Sequence, residues 1–487
     1  MGKYVHLFRT NAEYEEARKN NYYEPWVSYT EGIGGGVAYN KTEEEKLLGT
    51  YLTFNIISSG TIYWKAYDTA YTVSIEYKKN DGEWTTITSN TGASAPSFSV
   101  DAGDVVKFRG NNATYCSGSS RYNTFSGTTA KFEVEGNIMS LIDSQNFATA
   151  TTLASSYTFY YLFSYCTGLT SAENLVLPAT TLTLYCYYYM FYSCSSLITA
   201  PALPATTLAS NCYQGMFMSC TSLATAPSIL PATTLANNCY VNMFNGCLSL
   251  ITAPELPATT LANYCYETMF MGCTGLTTAP ALPATTLANY CYHTMFQNCR
   301  SLTTAPELPA TSLANYCYNS MFQNCRSLTR APELPTTTLA KGCYDSMFEG
   351  CTSLTTAPEL PATTLANECY VDMFRGCTSL TTAPELPAAT LAQSCYSNMF
   401  SNCRNLTTVP ELPATTLTNY CYYGMFQGCT NLNYIKCLAT DISATDCTSS
   451  WVNGVASTGT FIKNPNMSSW TTGVDGIPAN WTVQDVS

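Results

Sequence analysis

Between Cys186 and Cys429 one arrangement of apolar and polar positions recurs ten times, and the copy from Cys265 to Asn289 reads CYETMFMGCTGLTTAPALPATTLAN. Its methionine falls at Met190, Met216, Met243, Met269, Met295, Met321, Met347, Met373, Met399 and Met425, so the step is 26 residues and once 27. A fixed step of this size predicts a solenoid, because such a unit buries its apolar side only by stacking on its neighbours. Each copy carries two rhythms. Cys291, Met295 and Cys299 stand at i, i+4 and i+8 with Tyr292 and Phe296 beside them, which predicts one apolar helix face. The run Leu302-Thr303-Thr304-Ala305 predicts a short strand that stops at Pro306, since proline has no N–H for a ladder.

The string Met-Phe-x-x-Cys-x-x-Leu followed by a proline-bearing strand resembles the BspA-like leucine-rich repeats of gut Bacteroidales, over about three-fifths of the chain. Together with the two rhythms, the resemblance implies an α/β leucine-rich-repeat solenoid of about 10–11 turns. The chain departs from the shorter family form by extra residues around the corner Ala-Pro-Glu-Leu-Pro-Ala-Thr-Thr.

The solenoid is assigned residues 136–434, with Gly136–Asp143 and a degenerate turn holding Leu162, Phe163 and Cys166 as its amino-terminal cap. Residues 435–487 bring back tryptophan at Trp451, Trp470 and Trp481 and read as the carboxyl-terminal cap, where the repeat pattern dissolves. Before the solenoid, residues 47–135 alternate in seven short runs punctuated by Asn80-Asp81-Gly82 and Asp101-Ala102-Gly103, which predicts an antiparallel β-sandwich. Residues 1–46 hold a polar helix candidate at Asn11 to Lys19 and two aromatic strands flanking a glycine-rich loop, with Trp26, Tyr29 and Tyr39 as attachment residues. A unit this small builds no core of its own, so it reads as a docking segment. Its run Glu-Pro-Trp-Val-Ser-Tyr resembles the opening segments of virion proteins of crAss-like phages.

Charge narrows the function classes. The formal net charge is −12 with 11% charged residues, which excludes the basic face that nucleic-acid binding requires. No apolar stretch reaches membrane-spanning length, and MGKYVHLFRT lacks the apolar centre of a secretory signal. Of 24 cysteines, 20 occupy two apolar slots of the repeat, where a free thiol behaves as a small hydrophobe, and their eight-residue spacing without convergent histidine does not fit zinc. The two histidines, His6 and His293, have no catalytic partner in sequence, so no catalytic residue, metal or cofactor is expected. Gly34-Gly35-Gly36 lacks the following Lys-Ser or Lys-Thr of a phosphate loop.

Binding chemistry is expected on two faces. The threonine ladder Thr278, Thr304, Thr356 and Thr382 lies beside a row of carboxylates that includes Glu307, Glu333, Glu359 and Glu385, offering repeated hydrogen-bonding groups. That row fits either a calcium site or a solvated corner that discourages edge pairing. The variable positions, such as His293, Gln297 and Arg300 or Asp345, Glu349 and Thr352, share a second, exposed face that fits either recognition or drift. These readings point to a non-enzymatic virion adhesion protein. Its expected partners are other virion proteins, copies of itself and a host-surface glycan or protein. The alternative is a bacterial surface adhesin.

Overall fold

The computed structural model describes residues 43–118, 120–468 and 470–486, together with the backbone of β1 (His6–Phe8), β2 (Val27–Gly32) and β3 (Gly35–Asn40). These three strands form one antiparallel sheet in the order β1-β3-β2, with Tyr29 opposite Ala38 and Tyr39 opposite Ser28. Trp26 and the helix expected at Asn11 to Lys19 lie outside the described residues.

A short helix, α1 (Glu43–Leu48), leads into nine strands: β4 (Leu52–Ser58), β5 (Gly60–Tyr63), β6 (Lys65–Ala66), β7 (Ser74–Lys79), β8 (Thr85–Thr88), β9 (Ser97–Val100), β10 (Val105–Arg109), β11 (Asn123–Thr124) and β12 (Lys131–Asn137). Each of the seven alternating runs in the sequence contains one of them. Alternation sets their faces: Leu52, Phe54 and Ile56 of β4, Val106 and Phe108 of β10, and Phe132 and Val134 of β12 point inward. The Phe54 ring stacks on Phe132 at 4.2 Å and lies 4.6 Å from Phe108. The main sheet runs β13-β12-β4-β10-β7-β8, while β5 pairs with β9 and β6 with β11. Its last member, β13 (Leu169–Val176), belongs to the first repeat and pairs with β12 in parallel. A buried 3-10 turn, Ile138–Leu141, capped by Asn137, joins the two parts.

The α/β expectation requires a correction, because Cys-Tyr-x-x-Met-Phe-x-x-Cys forms no helix. The segment is a string of four-residue turns in which every fourth residue is left-handed: Tyr264, Thr268 and Gly272 have φ of 59°, 54° and 73°, and Tyr290, Thr294 and Asn298 have 56°, 52° and 63°. The backbone N–H groups split between two directions. Those of Cys291, His293, Met295, Gln297 and Cys299 donate to the carbonyl three residues back at 3.0–3.3 Å. Those of Tyr290, Tyr292, Thr294, Phe296 and Asn298 donate to Asn315, Cys317, Asn319, Met321 and Gln323 of the next coil at 2.8–3.1 Å. A helix would keep all these donors to itself, whereas the turns satisfy them and bind neighbouring coils together. The expected strand shrinks as well. The Leu302 N–H turns back to Cys299 and Pro306 has none, so pairing contracts to single parallel bridges such as Thr278 with Thr304.

The apolar slots are buried as the pattern predicts: Cys317, Met321, Phe322, Cys325 and Leu328 are fully inaccessible, and one hydrophobic cluster runs from Leu52 to Trp481. Rings stack coil on coil, with Tyr266, Tyr292 and Tyr318 spaced at 5.7 Å and Phe270, Phe296 and Phe322 at 5.6 and 5.7 Å. All 24 cysteines are free and buried. The second cysteine of each coil donates its Sγ–H to a phenylalanine carbonyl of the preceding coil, as Cys299 does to Phe270 at 3.1 Å. Burial pushes the Cys273 and Cys351 thiols up to about 12, so they stay protonated and unreactive at neutral pH.

The tyrosine column also holds buried hydroxyls without a partner, at Tyr187, Tyr213 and Tyr240. Tyr240→Phe is expected to raise stability by about 1 kcal/mol, because it removes a desolvated hydroxyl and keeps the ring. Tyr316→Phe, which deletes a 2.8 Å bond to Glu368 Oε2, should give no such gain. Denaturant midpoints of the two variants check this.

The coil step continues past Cys429. β14 (Tyr434–Cys437) pairs in parallel with β15 (Thr460–Lys463), which pairs with β16 (Thr482–Asp485). Trp451 follows Met425 by one coil, lies 6.1 Å from Tyr422 and stacks on Trp470 at 5.6 Å, while the Phe426 N–H donates to its carbonyl. The repeat therefore runs one coil further than the sequence pattern indicates, with tryptophan in the methionine slot.

Candidate functional site

The proline corners leave grooves between neighbouring coils. One of about 490 Å³ separates Thr252–Pro257 from Thr278–Pro283, a second of about 410 Å³ separates Ala305–Pro309 from Arg330–Pro335, and a third of about 560 Å³ separates Arg330–Pro335 from Thr356–Pro361. Prolines fix the corner backbone and remove its donors, so the groove walls present pyrrolidine rings, threonine hydroxyls and carboxylates. Thr278 lines the first groove, Glu307 and Glu333 the second, and Glu333, Thr356 and Glu359 the third. Thr304, Thr382 and Glu385 are exposed on the same rows but line none of these three grooves. The threonine row is continuous through the bridges Thr225–Thr252–Thr278–Thr304, and Arg330 then takes the next place and bridges to Thr356. That arginine, missed from sequence, puts a guanidinium among Glu307, Glu333 and Glu359 on the walls of two adjoining grooves. Its signal was available: Arg330 stands where eight of the other nine copies carry threonine.

On the turn face the variable positions pair along the coil axis. His293 Nδ1 lies 3.0 Å from Glu267 Oε1 one coil earlier. Gln297 donates to Gln323, Gln323 donates to Glu349, and Arg375 lies 3.7 Å from Glu349 and 3.5 Å from Asp372. Tyr264, Tyr290 and Tyr316 stack at 4.8 and 5.0 Å. Burial pushes Asp345 and Asp372 up to about 6, leaving both close to half-protonated in mildly acidic solution. Neither Arg300 nor Thr352 joins these pairs. The variety at these positions is therefore constrained by neighbours 26 residues away, a signal visible only when equivalent slots are read as columns.

Among the described residues no three His, Cys, Asp or Glu side chains gather to hold a metal ion, and no helix is long and apolar enough to cross a membrane. Glu411 of the carboxylate row is engaged by Lys436 at 2.5 Å.

A third face went unread in the sequence. Tyr157, Tyr160, Tyr161 and Tyr165 of the first coil meet Tyr185, Tyr188, Tyr189 and Tyr192 of the second, joined by Tyr67 and Tyr122 from the preceding sheets. The strings SYTFYYLFSYC and LYCYYYMFYSC, with tyrosine at equivalent places, carried the signal.

No curated protein and no solved structure matches the chain. The model of the BspA type leucine rich repeat region matches residues 151–277, 237–380 and 344–446, an unbroken stretch over more than half of the 487 residues. Those are the residues whose coils bridge one to the next and whose corners form the grooves, and the chain belongs to the BspA type leucine rich repeat family.

Proposed function

We propose that this chain is a non-enzymatic adhesion protein whose repeats form a solenoid presenting the proline-corner face to a host-surface glycan or protein. The observation that carries the reading is the row of exposed corner grooves, along which proline recurs at nine corners, threonine at eight of them and glutamate at six. Many equal contacts of modest strength suit adhesion, because several copies on one particle multiply weak affinities. The paired strands of residues 47–135 act as a β-sandwich spacer, and the segment 1–46 docks on other virion proteins through Trp26, Tyr29 and Tyr39. The resemblance of Glu-Pro-Trp-Val-Ser-Tyr to phage segments supports a virion location. Membership in the BspA type family supports the second reading, a bacterial cell-surface adhesin. Mass spectrometry of purified virions and of surface-shaved cells separates the two locations.

Reversing Glu307, Glu333, Glu359 and Glu385 to lysine in the full chain is expected to weaken binding of its multimer to host cells about tenfold or more, since each rim contact contributes a few tenths of a kcal/mol. Flow cytometry of labelled wild-type and reversed multimers reads this. Unchanged binding would remove the corner row from the recognition surface.

A further inference from the structure

We propose that the tyrosine field at the start of the repeats is a second docking surface, built for an uncharged polysaccharide. It goes beyond the corner-row reading and uses none of its residues.

The field is regular. Tyr157 stacks on Tyr185 at 4.8 Å, Tyr160 on Tyr188 at 4.8 Å and Tyr161 on Tyr189 at 5.2 Å, each pair within 9° of parallel, while Tyr192 meets Tyr165 edge-on at 5.0 Å. Tyr122 continues the plane against Tyr161 at 4.6 Å, and Tyr67 lies over Tyr122 at 4.9 Å. The far face of Tyr189 rests on Gly215, where a Cβ would come within 2.7 Å of the ring, so the third coil is cut back to seat it. Tyr161 and Tyr189, held on both faces, cannot swing away, Tyr122 and Tyr160 are buried at the base of the field, and the surface is preorganised. Tyr67 and Tyr165 are the open ones, 62% and 50% exposed.

The chemistry of the field selects its occupant. Between Asp143 and Glu255 the only charged residue is Glu173, which lies on β13. Asp68 and Arg121, beside Tyr67 and Tyr122 in sequence, approach each other at 3.5 Å. Burial among the rings raises the phenols of Tyr122, Tyr160 and Tyr161 and holds Tyr188 at about 12, so the field stays neutral at physiological pH. Arg121 beside the field is matched by Asp68, so an acidic polymer gains no net positive charge there, and a protein surface would leave its own charges facing rings. A neutral polysaccharide alternates C–H faces and hydroxyls at a constant step. Tyr67 and Tyr165 offer open ring surface to the C–H faces, and the stacked columns beside them, whose faces cover one another, offer ring edges and phenolic O–H groups at the step of the coils.

The test is affinity electrophoresis of the full-length protein in gels containing a mannan, a mixed-linkage β-glucan, a xylan or, as the acidic comparison, polygalacturonate. Retardation is expected in at least one neutral gel and not in polygalacturonate. The double variant Tyr67→Ala/Tyr165→Ala should lose about tenfold or more in apparent affinity, as truncation of central aromatic contacts does. Tyr165→Phe, which keeps the ring, should retain most of the binding, and should the double variant misfold, the single change Tyr67→Ala at the most open ring should still weaken it severalfold. The four-glutamate reversal should leave the retardation unchanged, so this surface and the corner row succeed or fail separately. The proposal is overturned if no neutral polysaccharide retards the protein, if polygalacturonate alone does, or if the alanine variants of Tyr67 and Tyr165 run as the wild type.

Discussion

Phe322→Ala is expected to lower the stability of the repeats by about 3–5 kcal/mol, the cost of emptying a packed aromatic site. The ring is fully buried and lies 5.7 Å from both Phe296 and Phe348, so its loss opens a void against two coils at once. Its backbone joins two of those coils: the Phe322 N–H donates to Met347, while its carbonyl accepts from the Cys325 N–H and from Cys351 Sγ at 3.1 Å. In a body where each repeat touches only its neighbours, a defect in the middle weakens two interfaces and can split one unfolding transition into two. Exposed Arg326 gives the control, since Arg326→Ala should stay within about 0.5 kcal/mol. Urea melts followed by tyrosine fluorescence measure both. A loss below about 1 kcal/mol for Phe322→Ala would mean that the backbone bonds between coils, not the ring columns, hold the repeats together.

The step, the buried slots and the exposed corner row were legible because they depend only on which residues recur. Met321 and Phe322 are apolar in every equivalent place, and no fold that stacks the copies leaves them in water. The local conformation was not legible from the same recurrence. Apolar residues at i, i+4 and i+8 mark a helix face, yet a string of four-residue turns has the same period, so Cys291, Met295 and Cys299 fit both. The polar residue before the second cysteine separates them. It is Ser193, Ser219, Gly246, Gly272, Asn298, Asn324, Gly350, Gly376, Asn402 and Gly428 in the ten copies, and all ten have positive φ. Glycine and asparagine tolerate that region, while an exposed helix position has no reason to demand them.

The column contacts were hidden for a different reason. Asn289 Oδ1 accepts the Asn315 N–H at 3.1 Å and Asn315 Oδ1 accepts that of Lys341 at 3.2 Å, so the asparagine of Leu-Ala-Asn stitches coil to coil. Reading along the chain shows only a polar residue after an alanine. Glu267 with His293, Arg330 in the threonine row and the tyrosine field share this property: each is defined by neighbours one coil away. Read along the chain, the tyrosines of the first coil are only a departure from the consensus of the kind a cap shows, and they form a field only once the coils are stacked.

Gly272→Ala is the substitution whose sign distinguishes the two conformations. In a helix interior it would stabilise by about 1 kcal/mol, because alanine loses less backbone entropy on folding. In the turn string Gly272 sits at φ 73°, and an alanine there is expected to cost about 1–2 kcal/mol from the contact between its Cβ and the following carbonyl. Space does not confuse the result, since the nearest atoms to an added Cβ are Gly246 Cα and N at 4.0 Å. Asn298→Gly is the reciprocal change. Asn298 holds φ 63° at the equivalent place, so glycine relieves strain there and should be neutral or mildly stabilising, where a helix would lose about 1 kcal/mol. Thermal melts of the pair therefore give opposite orders for the two structures. A Gly272→Ala protein more stable than wild type, together with a destabilised Asn298→Gly, would restore the helix.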